Sequence, residues 1–224
     1  MYFESGHIYH IYNQGNNRQK IFFIRENYLF FLEKIRTYIL PYADILAWCL
    51  MPNHFHFMVY VNAIEVDEAI VKTSQGATSS RTLTNTSGAL SRTLTTNRMM
   101  GFNKSIGILL ASYTRAINNQ EKRTGSLFRK ETKAICLTRI TGITPAWVTS
   151  MGVTKINIGI PEKQYPNICF NYIHNNPVKD GLVAKPEDWE FSSYADIVGL
   201  RNGKLINRER IEELGLTIQS PGAT

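Results

Sequence analysis

Two dense apolar runs, Ala43–Met51 and Phe55–Val61, are separated only by Pro52-Asn53 and His54. Parallel neighbours need a crossover of a dozen residues or more, so a connector this short dictates an antiparallel hairpin. Side chains alternate across a strand, so His54 and His56 project from one face while Phe55 and Phe57 project into a core on the other. Upstream, His7–Tyr12 alternates apolar and polar residues and predicts a strand, broken by Asn13-Gln14-Gly15-Asn16-Asn17. A helix is predicted over Asn27–Leu40, with Leu29, Leu32, Ile35 and Ile39 on one stripe and Pro41 ending it. Downstream, Ile106, Leu109, Leu110, Tyr113 and Ile117 mark a helix over Lys104–Asn118, and Lys133–Thr138 has a strand's apolar centre. Asn167–Asn175 predicts a last helix, stopping where Pro177 pushes Asn176 out of the helical region. Strand, helix, strand, strand, helix, strand, helix specifies an α+β, ferredoxin-like antiparallel sheet with helices on one face.

Two stretches interrupt that order. Lys72–Asn97 is rich in Thr and Ser and repeats itself once, Ser80-Arg81-Thr82-Leu83-Thr84 recurring as Ser91-Arg92-Thr93-Leu94-Thr95; two copies are too few for a solenoid. Arg139–Pro166 is rich in Gly, Thr and Pro and has no period. Both read as long loop insertions in one domain over residues 1–200, with 201–224 as a C-terminal tail. The 43% hydrophobic and 19% charged composition is that of a globular chain. Lys and Arg outnumber Asp and Glu by 25 to 18, and the excess favours a polyanionic partner. Cys49, Cys136 and Cys169 show no paired spacing and read as thiols in a reducing compartment. The first residues lack signal-peptide character and the apolar run Ile45–Met51 is too short to span a bilayer, so the expected location is cytoplasmic, away from membranes.

The chemistry-bearing residues form two groups. Two imidazoles converging at a strand end can share a metal ion, although a His-x-His tripeptide occurs by chance more often than as a ligand pair. On the last helix Tyr172 and Asn176 are four apart and share a face. A phenolate that attacks phosphorus and an amide oxygen that completes a metal's coordination suit phosphodiester cleavage, where a cation must offset the anionic charge. Taken alone, Tyr172 is better read as an ordinary half-buried aromatic, one of 11 tyrosines. Arg18, Lys20, Lys122, Arg123, Arg129, Lys130 and Lys179 lie near these motifs and could hold a phosphate backbone or merely solvate a surface. His174 falls on the helix face away from Tyr172, and His7 and His10 have no apparent catalytic role. Trp189, Phe191 and Tyr194 are better suited to packing than to stacking on bases.

Five ordered segments together resemble the single-tyrosine HUH transposases, most closely the REP-associated tyrosine transposases. They are His10-Ile11-Tyr12-Asn13-Gln14-Gly15-Asn16-Asn17-Arg18, Ala47-Trp48-Cys49-Leu50-Met51-Pro52-Asn53-His54-Phe55-His56, Thr124-Gly125-Ser126-Leu127-Phe128-Arg129, Tyr172-Ile173-His174-Asn175-Asn176-Pro177-Val178-Lys179, and Trp189-Glu190-Phe191-Ser192-Ser193-Tyr194. The resemblance implies a ferredoxin-like fold, metal ligands at His54 and His56 with Asn176 as the third, and Tyr172 as nucleophile. It implies cleavage and rejoining of single-stranded DNA, next to a hairpin, through a 5′-phosphotyrosine. Mg²⁺ is the expected ion, and Mn²⁺ suits two imidazoles better. Relatives work as monomers or as dimers that share the tyrosine helix, so a homodimer stays open. Two rivals remain: a non-catalytic nucleic-acid-binding module, and a phosphodiesterase that activates water and dispenses with Tyr172.

Overall fold

The computed structural model describes residues 1–76, 98–139, 147–150, 153–156 and 164–219. In chain order the elements are β1 (Ile8–Gln14), α1 (Arg25–Tyr38), β2 (Ala43–Met51), β3 (His54–Val61), β4 (Glu65–Asp67), α2 (Glu68–Gly76), β5 (Met99–Gly101), α3 (Phe102–Gln120), β6 (Lys133–Cys136), β7 (Trp147–Ser150), β8 (Val153–Ile156), α4 (Tyr165–Lys179), α5 (Tyr194–Ile197) and α6 (Arg208–Glu213). Four strands form one sheet in the order β2-β3-β1-β6, every neighbouring pair antiparallel. With α1 and α3 as the crossovers, this is the ferredoxin-like β-α-β-β-α-β arrangement predicted from the strand order. The β2–β3 hairpin pairs Met51 with His54 across Pro52-Asn53. Two short ribbons stand apart from the sheet, β4 with β5 and β7 with β8. The echo at 80–84 and 91–95 lies outside the described residues.

One face of the sheet carries the main core. Phe31 of α1 is fully buried, its ring 5.3 Å from Phe55, 6.2 Å from Phe57 and 4.7 Å from Tyr113 of α3. The Tyr113 hydroxyl donates to the Ile21 carbonyl at 2.7 Å, so this large side chain is buried without an orphaned polar atom. The Ser105 hydroxyl donates to the Tyr38 carbonyl at 2.7 Å and ties α3 to α1. The buried stripe of α1 runs through Tyr28, Phe31, Ile35 and Tyr38, and Leu29 is exposed. The aromatic positions, larger than the leucines, decide which side of the helix turns inward.

The opposite face carries α4, which packs chiefly on β2 and also touches β3. This helix extends past its predicted stop, through Pro177 to Lys179. The proline stands three residues from the end, so its missing N–H removes one bond from the last turn alone. Its carbonyl accepts from the Leu182 N–H at 2.9 Å, and Gly181 takes the left-handed conformation (φ +69°) that such a helix stop needs.

Residues between 191 and 207 bond to the outer edge of β2. The Leu50 N–H donates to the Phe191 carbonyl at 2.8 Å, the Ser193 N–H to Trp48 at 2.9 Å and the Asn207 N–H to Ile45 at 2.9 Å. The stretch from 201 to 219, which the sequence suggests is a tail, is tied to β2 at Asn207 and to α4 at its end, where the Thr217 and Gln219 N–H groups donate to the side-chain oxygens of Asn167 and Asn171. Asp196 is buried there on Arg201, whose Nε donates at 2.7 Å. Phe191 stacks on Tyr28 at 3.8 Å and the Trp189 indole donates to the Leu50 carbonyl at 3.1 Å, so the aromatic block packs inward.

Loop 15–20 closes the end of the sheet where His54 stands. The Gly15 N–H donates to the Asn53 carbonyl at 2.8 Å, and the N–H groups of Ile21 and Phe22 donate to the Pro52 carbonyl. A Cβ on Gly15 would stand 2.1 Å from the Gln19 carbonyl oxygen. Gly15→Ala is therefore expected to cost about 1–3 kcal/mol, the range for forcing an extra methyl into a filled space. Urea unfolding of the two proteins measures it, and equal midpoints would show that the loop yields freely.

Candidate active site

The antiparallel register brings the histidines together. Tyr12 pairs with His56, His10 with Met58 and Gln14 with His54, so His10, Tyr12, His54 and His56 share the face under α4. The His54 and His56 rings are 5.0 Å apart and nearly perpendicular, at 87°. The Nδ1 of His54 donates to the Asn53 side-chain oxygen at 2.6 Å, which leaves Nε2 outside that bond. The Nδ1 of His56 bonds to His10 Nε2 at 2.8 Å, and His56 Nε2 is buried with no hydrogen-bond partner.

The phenol arrives from above. The Tyr172 ring lies 5.6 Å from that of His56 and 6.1 Å from that of His10, edge-on to both. Asn176, one turn later, is buried, and its Nδ2 is likewise unpartnered. Asn175, next to it, spends its amide on the Asn171 carbonyl of its own helix at 3.0 Å. The Lys179 ammonium sits 5.0 Å from the centre of the Tyr172 ring.

Burial dominates the electrostatics. It drives the His56 pKa well below its ordinary value, with His10 and His54 adding in the same direction. Burial also lowers His54, partly offset by Asp180, and brings His10 down to about 4. These imidazoles are therefore neutral at pH 7, the form that ligates a metal. Burial raises the Tyr172 pKa, and the neighbouring Asn176 carboxamide opposes it.

The donor set fits a divalent cation. Two neutral imidazoles each have Nδ1 engaged and Nε2 disengaged, the arrangement found where histidines bind metal through Nε2. The unpartnered end of Asn176 becomes an oxygen donor on a half-turn of its amide. Among the described residues no group of three or more His, Cys, Asp or Glu side chains could hold a metal ion, so the site differs from a closed structural zinc centre.

Six of the seven basic residues singled out from sequence lie on two loops at the His54 end of the sheet. Arg18 and Lys20 follow β1, while Lys122, Arg123, Arg129 and Lys130 follow α3. The loops are joined by the Asn16 N–H donating to Leu127 O at 2.9 Å and by Arg123 Nη2 donating to Gln19 Oε1 at 2.7 Å. Arg18, Lys20, Lys122, Arg129 and Lys130 are exposed. A cleft of about 740 Å³ between α3 and residues 126–134 includes Arg129 and Lys130 but lies on the far face of the sheet from the histidines.

His174 points away from Tyr172, as expected, into a buried network. Its Nε2 bonds to the Ser193 hydroxyl at 2.7 Å, and that hydroxyl accepts from the Trp48 N–H at 2.9 Å. Sequence reasoning sets His10 aside. Its alternation with Tyr12 and Gln14 is visible along the chain, but only the pairing of β1 with β3 shows that it meets His56.

No protein-family model and no curated protein matches this chain. Among solved structures it is similar to a REP-associated tyrosine transposase bound to a REP hairpin, with a TM-score of 0.48 and 16% identity over 89% of this chain and 83% of that one. At that score the likeness assigns nothing to this chain. Among the described residues no helix is long and apolar enough to cross a membrane.

Proposed function

We propose that this chain is a transposase-type enzyme that cuts and rejoins single-stranded DNA through Tyr172, beside a divalent cation held by His54, His56 and Asn176. The observation that carries this reading is the meeting of a phenol with two buried, unpartnered side-chain nitrogens, His56 Nε2 and Asn176 Nδ2, across the α4–sheet contact.

The Tyr172 oxygen gives up its proton and forms a bond to phosphorus, and the bond from phosphorus to the 3′ oxygen breaks. The product is a 5′-phosphotyrosine and, after proton uptake, a free 3′-hydroxyl. A second 3′-hydroxyl reverses the step, breaking the tyrosine ester and restoring the phenol without a nucleotide cofactor. When bound, a Mg²⁺ or Mn²⁺ ion supplies neutralisation of the phosphate charge and of the departing oxygen. Lys179, beside the phenol, stabilises its anionic form. His54 and His56 stay neutral and hold their Nε2 lone pairs toward the site. The basic loops beyond His54 hold the backbone of a single strand, next to a hairpin in the proposed substrate.

Labelled single-stranded oligonucleotides incubated with the protein and Mn²⁺, then denatured, test the proposal. A covalent protein–DNA adduct is expected. Cleavage without an adduct would indicate a hydrolase that activates water, and binding alone a recognition module. The phenol packed over the histidines favours the adduct, because neither rival needs it there.

Affinity should rest on the loops. Replacing Arg18, Lys20, Arg129 and Lys130 by alanine is expected to reduce the slope of log K against log salt by about 0.7 for each phosphate that the protein no longer neutralises. Filter binding across a salt series measures this. An unchanged slope would mean that the strand runs elsewhere.

A further inference from the structure

We propose that His10 is a positioning residue that holds His56 in the tautomer whose Nε2 is free of hydrogen and available to a metal ion; this rests on the reading of His54 and His56 as ligands. The hydrogen bond between His10 Nε2 and His56 Nδ1, 2.8 Å long, contains one proton. If His56 supplies it, Nδ1 carries the hydrogen and Nε2 presents a lone pair. If His10 supplies it, His56 Nε2 must carry a hydrogen of its own, buried and without an acceptor. A buried N–H with no acceptor is rare in folded proteins, and it would also block coordination. His10 Nδ1, which takes the hydrogen in the first case, is not among the buried atoms left without a partner.

Packing leaves the two rings little choice. His10 and His56 are 8% and 5% exposed, stacked 5.0 Å apart at 24°. Tyr12 closes the third side, 4.8 Å from His10 and 5.7 Å from His56. Asn53 does for His54 what His10 does for His56, accepting at 2.6 Å from Nδ1. An asparagine oxygen can only accept, so it selects the tautomer unaided; a histidine can donate or accept. His10 acts as the acceptor because the burial of His56 Nε2 makes the alternative costly. Hydrogen-bond partners of this kind set the tautomer, orientation and basicity of metal-binding histidines.

Long-range proton–nitrogen NMR of the ¹⁵N-labelled, metal-free protein reads the tautomer directly, and Mn²⁺ titration calorimetry reads affinity. The Nδ1–H form of His56 is expected in the native protein. His10→Leu, which removes the acceptor, is expected to lose that preference and to weaken Mn²⁺ binding by roughly ten- to a hundredfold. His10→Gln, whose amide oxygen can accept from Nδ1, is expected to keep most of both. The Nε2–H form in the native protein overturns the proposal, as does an unchanged tautomer in a folded His10→Leu protein. Should His10→Leu fail to fold, the native and His10→Gln spectra decide. If the native protein shows the Nδ1–H form, loses it in His10→Leu and yet binds no Mn²⁺, the positioning role stands and the metal reading falls.

Discussion

Tyr172→Phe is expected to abolish the covalent adduct and strand joining, while DNA binding and Mn²⁺ binding stay close to native. The substitution removes one oxygen and leaves the ring, which packs 5.6 Å from His56 and 6.1 Å from His10. Neither histidine bond involves the phenol, so His54 and His56 keep their partners. Loss of an activated nucleophile costs on the order of a thousandfold or more in rate. The variant thus separates chemistry from recognition, which alanine would not do because it also empties the space under α4. A denaturing gel with labelled oligonucleotide gives the answer. Adduct persisting in Tyr172→Phe would sink the assignment and point to Tyr12, another phenol on this face, 5.7 Å from His56.

A steep loss of stability in mild acid is the second large effect. Burial lowers His174 to about 3 and His10 to about 4, and it drives His56 well below its ordinary value. In the unfolded chain all three take up protons near pH 6.5, while the folded chain refuses them. Their contribution is therefore complete above about pH 6.5 and is lost as the pH falls toward their folded values. Each group adds about 1.4 kcal/mol per pH unit, so His174 and His10 together give roughly 3 kcal/mol per unit below about pH 6, and His56 adds in the same direction. Urea midpoints in EDTA at pH 7, 6 and 5 measure the slope, and a His174→Gln variant should be shallower by one group. Stability that is flat between pH 7 and pH 5 would contradict these burials.

The parts of this site written in the sequence are those governed by local geometry. A two-residue connector makes a hairpin wherever it occurs, so the projection of His54 and His56 from one face follows from spacing alone. Tyr172 and Asn176 share a face for the same reason, helical periodicity. What escapes a reading of the sequence depends on distant pairing. His10 reaches His56 only because β1 and β3 are aligned in one particular register, and a shift of one residue would turn it to the other face. The docking of α4 on the sheet face opposite α1 and α3 depends on its packing against β2 and on residues 189–193. Helix α4 outruns its predicted stop because the rule against a helix before proline weakens in a last turn closed by Gly181. The course of 201–219 depends on single bonds to distant residues, from Asn207 and Arg210 to β2 and from Thr217 and Gln219 to α4.

The anchoring of α4 has a consequence for the proposed tyrosine chemistry. His174 and Tyr172 are two positions apart and face opposite ways, and the bond from His174 to Ser193, itself bonded to Trp48, moors the helix to β2, the strand paired with the one that carries His54 and His56. A swing of α4 as a whole would have to break this buried imidazole–hydroxyl link. If Tyr172 carries a severed DNA end, as proposed, that end stays where it was cut, and exchange requires the incoming end to travel to it.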